Sequence, residues 1–296
     1  MSMRSAVALF LTVLLVGLAA AQEFPSKPVR IVVPWPPSGN VDITARTVAP
    51  AFGEALGQSV IVENRAGAAG SIGSAAVAKS APDGYTLLLG SSGTLTAGPA
   101  VWKNRHYDPV KDFVAVGGIQ SVPIVLTAAP KTPVSTYAEF VSLAKSRQIS
   151  IASAGSGSSN HLAIELLMRM ANLKLLHVPY KGSGPALTDL LGSQVESMMD
   201  QLTASIGHIR DGRIKAIAIS SSRRSPLLPN VPTLDEAGVK GYEATTFTGL
   251  FAPAGTSRNA LEKLHAALRK AFANESVRAD YDKWLKVARE GNIVVE

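Results

Sequence analysis

Cysteine is absent from all 296 residues, which excludes disulfides, thiolate metal sites, cysteine nucleophiles and a lipidated cysteine. Aromatic residues are scarce at 6%, and no basic run exceeds Arg223-Arg224, so the net charge of +7 is not organised for nucleic acid. A scattered basic surface does no more than mildly favour anionic ligands. The histidines (His106, His161, His177, His208 and His265) are dispersed and form no H-E-x-x-H pair, so metal catalysis is not indicated. No G-x-x-x-x-G-K-[ST] loop occurs, and Gly155-x-Gly157-x-x-Asn160 lacks the last glycine of a dinucleotide fingerprint. Gly90-Ser91-Ser92-Gly93 and Ala154-Gly155-Ser156-Gly157-Ser158 both miss the G-x-S-x-G of a serine nucleophile elbow. No cofactor is implied.

What is present begins with a leader. Arg4 supplies a positive start, Ala6 to Leu18 an apolar core, and Ala19-Ala20-Ala21 a small-residue cleavage site before Gln22. We expect residues 1–21 to be a cleaved secretory signal; a membrane anchor is the competing reading, but the stretch is short for a span. Arg4 is the only charge in it, so the remaining chain carries +6. Apolar residues at 46% are enough for a core.

The chain then repeats one unit, a β-branched strand followed by a small-residue loop that opens a helix. Val29 to Val33 is stopped by Pro34-Trp35-Pro36-Pro37, and Ser38-Gly39-Asn40-Val41-Asp42 leads into a helix expected from Ile43 to Leu56, with Asn40 or Asp42 as its cap. Strands at 59–63 and 85–89 follow, the second ending in Gly90-Ser91-Ser92-Gly93-Thr94. Two strand-like runs, 114–119 and 122–127, flank Pro123, which places a domain crossing near 120–124. Thr136 and Glu139 are spaced as a capping box for a helix at 137–145. Strand 149–152 runs into Ser153-Ala154-Gly155-Ser156-Gly157-Ser158-Ser159-Asn160-His161, and Leu162, Leu166 and Met170 predict the core ridge of the next helix. Strand 175–179 leads into Tyr180-Lys181-Gly182-Ser183-Gly184-Pro185, and strand 195–199 ends at Asp200. The run 245–251 crosses back, and helix 259–273 with an amphipathic segment around Tyr281, Trp284 and Val287 closes the first domain. Alternation of this kind predicts parallel α/β sheets with ligands at the carboxyl ends of the strands.

Repeated hydroxyl- and glycine-rich helix starts suit recognition of a small polar anion by backbone N–H and hydroxyl groups. Any one such loop is equally what a tight strand-to-helix turn requires. Asp200 either accepts a ligand N–H or caps its helix, and Trp35 either walls the site or covers the core. His161 reads as a structural residue at a helix start.

Five segments carry a family resemblance: Val33-Pro34-Trp35-Pro36-Pro37, Val62 to Gly70, Ala78 to Leu88, Tyr107 to Phe113, and Val178-Pro179-Tyr180-Lys181-Gly182. They resemble the signature segments of the tripartite tricarboxylate transporter receptors, the Bug-type periplasmic solute-binding proteins. The resemblance implies an α/β fold of periplasmic-binding-protein type II, two α/β domains joined by a two-segment hinge with the ligand cleft between them. It divides the chain into a first domain of residues 22–122 and 247–296, shortened near residue 278, and a second of 123–246. It implies no cofactor and no turnover, a monomer in the periplasm, and a small carboxylate delivered to membrane transporter subunits or reported to a sensor protein. An exported serine hydrolase acting through Ser92 or Ser156 is the alternative. The implied ligand contacts are Trp35, Pro37, Ser38, Gly39, Asn40, Val41, Ser91, Ser92 and Thr94 in the first domain. In the second they are Ser153, Gly155, Ser156, Gly157, Ser158, Ser159, His161, Lys181, Gly182, Ser183 and Asp200. The chain departs from the family pattern at Ser38-Gly39-Asn40-Val41, where glycines and then a Thr or Ser hydroxyl are usual, and at Gln201-Leu202-Thr203-Ala204, where Asn-Leu-Pro-Ser is usual.

Overall fold

The computed structural model describes residues 23–102 and 106–273. The signal segment, the shortening near residue 278 and the segment around Tyr281, Trp284 and Val287 lie outside the described residues.

Strand β1 (Val29–Val33) pairs in parallel with β2 (Val60–Asn64) and β3 (Thr86–Ser91), and β3 pairs antiparallel with β9 (Thr245–Pro253). β1 is buried at Val29, Ile31, Val32 and Val33, as a strand covered on both faces must be. On one face Val29, Ile31 and Val33 meet Val48 and Phe52 of helix Asn40–Leu56 and Leu264 of helix Arg258–Ala273; on the other, Val32 and Leu88 meet Val77 and Tyr107. These elements make lobe 1. In lobe 2, β5 (Ser150–Ser153) lies between β6 (Leu176–Pro179) and β7 (Ser197–Gln201), packed on helices Tyr137–Ser146 and Ser159–Ala171. The Thr136–Glu139 capping box is present, with Thr136 N–H donating to Glu139 and Glu139 N–H to Thr136 Oγ1.

Two runs were expected around Pro123, but a single strand, β4 (Phe113–Ala128), joins the lobes. Residues up to Pro123 pair with β9, and from Ile124 onward β4 pairs with β7 and β8 (Lys215–Ile219). Proline breaks a strand only where a partner carbonyl needs its missing N–H. Pro123 stands at the changeover of partners, opposite Thr245, the first residue of β9. Ser220, fully buried, ties both crossings together there. Its Oγ accepts from Ile124 N–H at 2.7 Å and donates to the carbonyl of Ala244, while its own backbone bonds Ile124 and Ala244 at 2.9 Å each.

Two helices differ from expectation. The first begins at Asn40, with Gly39 at the cap position and no side-chain cap, so neither Asn40 nor Asp42 caps it. Helix Ser159–Ala171 begins earlier than predicted and buries Asn160, Ala163, Ile164 and Leu167, while Met170 is exposed. The 162/166/170 ridge has the right spacing but the wrong phase: one position is about 100° of rotation on an α-helix, enough to move a stripe from the core to its flank.

Candidate functional site

The lobes meet over a cleft at the carboxyl ends of β1, β3, β5 and β7. Lobe 1 lines it with Trp35, Pro36, Gly39, Asn40, Val41 and Ser91, and lobe 2 with Ala154, Ser159, Asn160, Gly182, Ser183 and Gln201; Thr246 on β9 completes the wall. The space between the walls, part of it open to solvent, is about 420 Å³. The lobes touch across it, Thr203 of lobe 2 being hydrogen-bonded to Asn40 of lobe 1. A larger and more open hollow lies outside, between β2 and the far half of helix Asn40–Leu56, and contains no helix start.

Helix starts converge on the cleft. Helix Asn40–Leu56 begins at Gly39 and helix Ser183–Leu191 at Gly182, both without a side-chain cap. The amides of a helix's first turn have no intrahelical acceptor, and without a capping side chain they remain available, at the positive end of the helix dipole. The two starts face one another: a Cβ on Gly39 would lie 3.9 Å from Ser183 Cβ, and one on Gly182 2.8 Å from the Pro36 ring. Gly182 also has φ +118°, so glycine is required there both by backbone conformation and by the approach of the other lobe. By contrast, helix Ser159–Ala171 is capped by its own Ser158, whose Oγ accepts from His161 N–H at 3.2 Å.

The loop before helix Asn40–Leu56 is buckled down by charge. Asp42 accepts from Ser38 N–H at 2.9 Å, Asn64 Nδ2 at 2.8 Å and Arg46 Nε at 3.0 Å, and Asn64 also reaches the Trp35 carbonyl at 3.1 Å. Burial pushes the Asp42 carboxyl up, but the bonds from Arg46, Ser38 and Asn64 together hold it below its ordinary value. Trp35, whose carbonyl is thereby held, lines the cleft, and its Nε1 is buried without a partner. Asn40 Oδ1 accepts from Gln120 Nε2 at 3.1 Å and from the Thr203 hydroxyl of lobe 2.

Of the residues singled out by sequence, Trp35, Gly39, Asn40, Val41, Ser91, Ser159, Gly182 and Ser183 line the cleft. Pro37, Ser38, Ser156 and Lys181 are exposed and line no part of it. Ser92 Oγ is taken by Phe247 N–H at 2.9 Å, and Thr94 Oγ1 by the Ser91 backbone. Ser153, Gly155, Gly157, Ser158 and His161 build the second loop from behind: Ser153 Oγ bonds His177 Nε2 at 2.7 Å, Gly157 N–H donates to His161 Nδ1 at 3.1 Å, and the imidazoles of His161 and His177 stack at 4.1 Å. Asp200 is neither a cap nor a wall. It lies inside β7, fully buried, accepting from Ser183 Oγ at 2.6 Å and Ser205 Oγ at 2.9 Å. Burial raises its carboxyl to about 6 against the opposing hydroxyl bonds.

Pro36, Ala154, Asn160, Gln201 and Thr246 were given no individual role by sequence. Thr246 carried a usable signal. In β9 Thr246 and Thr248 point inward while Phe247 is exposed, a reversal of ordinary strand polarity that marks a polar cavity. No lysine or arginine lines the cleft, and among the described residues no cluster of His, Asp and Glu could hold a metal ion. Among them, too, no helix is long and apolar enough to cross a membrane.

Two α/β lobes, a two-strand crossing and a cleft walled by helix starts define a solute-binding receptor of the periplasmic-binding-protein class. The chain belongs to the tripartite tricarboxylate transporter family of receptors, whose pattern matches residues 44–285. It is 38% identical to BugT of Bordetella pertussis, over 88% of this chain and 82% of that one. Among solved structures, MatC of Rhodopseudomonas palustris with bound malate superposes with a TM-score of 0.83 at 38% identity, covering 86% of this chain and 87% of that one. An R. palustris protein with adipate superposes at 0.81 with 32% identity, covering 92% and 99%. The family is one of substrate-binding receptors and not of enzymes, which sets the hydrolase alternative aside. Ser156 is solvent-exposed and Ser92 holds a backbone amide, so neither is placed as a nucleophile.

Proposed function

We propose that the protein captures a small organic carboxylate between its lobes in the periplasm and hands it to a tripartite tricarboxylate-type transporter or reports it to a sensor. The carrying observation is the pair of uncapped helix starts at Gly39 and Gly182, opposed across a cleft that Trp35 also lines. A carboxylate satisfies such donors without a cationic side chain, because preoriented amides and the helix dipoles supply the partial positive charge. The relatives bound to malate and adipate are consistent with an aliphatic acid. We assign residues 22–122 with 247–296 to one closing domain and 123–246 to the other; the change of ladder partner at Pro123 and Ile124 supports that boundary. The direct contact of the lobes at Asn40 and Thr203 supports a parting of the lobes to admit ligand.

The test is a thermal-shift panel of mono- and dicarboxylates of increasing chain length, with native mass spectrometry of the purified protein. A ligand at a hundred times its Kd adds about 2.7 kcal/mol of stability, and at least one acid should raise Tm accordingly. No shift with any acid, and no co-purifying acid, would reject the reading.

A further inference from the structure

Hydrogen-bond directions in the cleft walls follow from groups that can act in one sense only. On the lobe 1 side, Thr44 Oγ1 lies 2.7 Å from the backbone carbonyl of Asn40, which can only accept, so the single hydroxyl proton of Thr44 is used there. Gln120 contacts the same Thr44 oxygen and must therefore present Nε2 to it. The second Nε2 proton reaches Asn40 at 3.1 Å, so the Asn40 atom in that contact is Oδ1, and the Thr203 hydroxyl donates to it as well. Asn40 Nδ2, with two protons, is left to the cleft that Asn40 lines.

At the Ser183 side chain of lobe 2 the sense is opposite, although the open amides of its helix start donate as those of lobe 1 do. An ionised carboxylate cannot donate, so both Ser183 Oγ and Ser205 Oγ give their protons to Asp200. Ser183 lines the cleft, and only its lone pairs remain to face a ligand. The neighbouring amides are spent on one another. Asn160 Nδ2 donates to the Met199 carbonyl at 2.9 Å, which turns Asn160 Oδ1 toward Gln201 Nε2 at 3.0 Å. The cleft thus has donors in Asn40 Nδ2, Trp35 Nε1 and the open amides of both helix starts, and a side-chain acceptor in Ser183 Oγ.

We infer that the cleft selects a short carboxylate that also bears a hydroxyl or ammonium group, with Ser183 Oγ accepting that group's proton while Asn40 Nδ2 and Trp35 Nε1 hold carboxylate oxygens. This rests on the carboxylate reading above and names the class within it. A plain dicarboxylate brings acceptors only and leaves an oxygen against the Ser183 lone pairs. Leaving buried polar groups mismatched is what lets a hydrogen-bonding site reject an analogue that lacks one hydroxyl.

The experiment is isothermal titration of the full chain with acids paired at equal chain length: propionate and lactate, succinate and malate, glutarate and 2-hydroxyglutarate. The hydroxylated member of the pair that fits should bind at least about tenfold more tightly, equivalent to about 1.4 kcal/mol. In Ser183→Ala that ratio should fall to near one. It should also shrink in Asp200→Asn, whose amide can donate to Ser183 and release its proton toward the cleft, so the test survives a failure of either variant to fold. Equal affinities within a pair for the wild-type protein, or a ratio unchanged in both variants, would overturn the inference and leave the carboxylate reading standing. Absence of binding by every acid overturns both.

Discussion

Across the closed cleft, the hydroxyl of Thr203 in lobe 2 donates to the side-chain oxygen of Asn40 in lobe 1. Gln120 of the crossing strand donates to the same oxygen, so one amide is held by both lobes and by the strand that joins them. A neutral hydrogen bond contributes about 0.5–1.5 kcal/mol. Thr203→Val should therefore weaken ligand binding by roughly twofold to tenfold and raise the radius of gyration of the unliganded protein in small-angle scattering. Identical affinity and scattering curves would mean that the link does not help hold the lobes shut.

Trp35 Nε1 has no partner in the protein, so its removal should act on binding alone. A hydrogen bond to a charged group is worth about 1.5–3 kcal/mol. Trp35→Phe keeps an aromatic wall and should cost roughly tenfold to a hundredfold in carboxylate affinity, while the Tm without ligand stays level or rises. A fall in the unliganded Tm with affinity retained would instead assign Trp35 to the core.

Ser220 makes the opposite case, a residue that does not line the cleft but stitches the crossings. Ser220→Ala leaves the amide of Ile124 and the carbonyl of Ala244 without their side-chain partner at a fully buried position. Unsatisfied buried groups cost about 1–3 kcal/mol each, and at this size Tm falls by roughly 2–4 °C per kcal/mol. Calorimetry should show that drop; a wild-type melting curve would remove Ser220 from the hinge.

Two titratable groups, the half-buried His177 and the fully buried Asp200, give opposite pH slopes. Burial and the neighbouring His161 push His177 from 6.5 down to about 4. Below pH 6.5 the unfolded chain takes up a proton that the folded chain refuses until about pH 4, so this contribution to stability is lost as pH falls through that window. Asp200, raised from 3.8 to about 6, does the reverse: its contribution is complete below 3.8 and is lost as pH rises to about 6. Denaturant titrations between pH 4 and 7 should show a steeper acid loss than wild type in Asp200→Asn and a shallower one in His177→Gln. Slopes parallel to wild type in both variants would contradict these assignments.

The strand-loop-helix order, the capping box at Thr136 and the positions of the cleft loops were legible because they rest on local signals: β-branched runs, prolines that end them, and small residues that open helices. Phase was not legible. Helix Ser159–Ala171 had the right period but the wrong face, since its true start, at a serine cap among several serines, sets the rotation of everything after it. Nor could the continuity of β4 through Pro123 be read, because whether a proline breaks a strand depends on which partner lies opposite, and here the partner changes at that residue.

The class of fold and the place of the opening loop, Trp35 to Val41, follow from residues near one another in the chain, because a β-branched run, the prolines that stop it and the small residues after them are local signals. Which loop atoms face the ligand was decided by the tertiary structure. Ser38 turned out to be exposed, Val41 to line the wall, and Asn40 to offer its Nδ2 only because Thr44, Gln120 and Thr203 claim the rest. The physical reason is that a side-chain amide or hydroxyl has no fixed polarity toward a cavity until its other hydrogen bonds are assigned. Gln120 and Thr203, 80 and 163 residues from Asn40, are brought to it by the sheet of lobe 1 and by the approach of lobe 2 respectively.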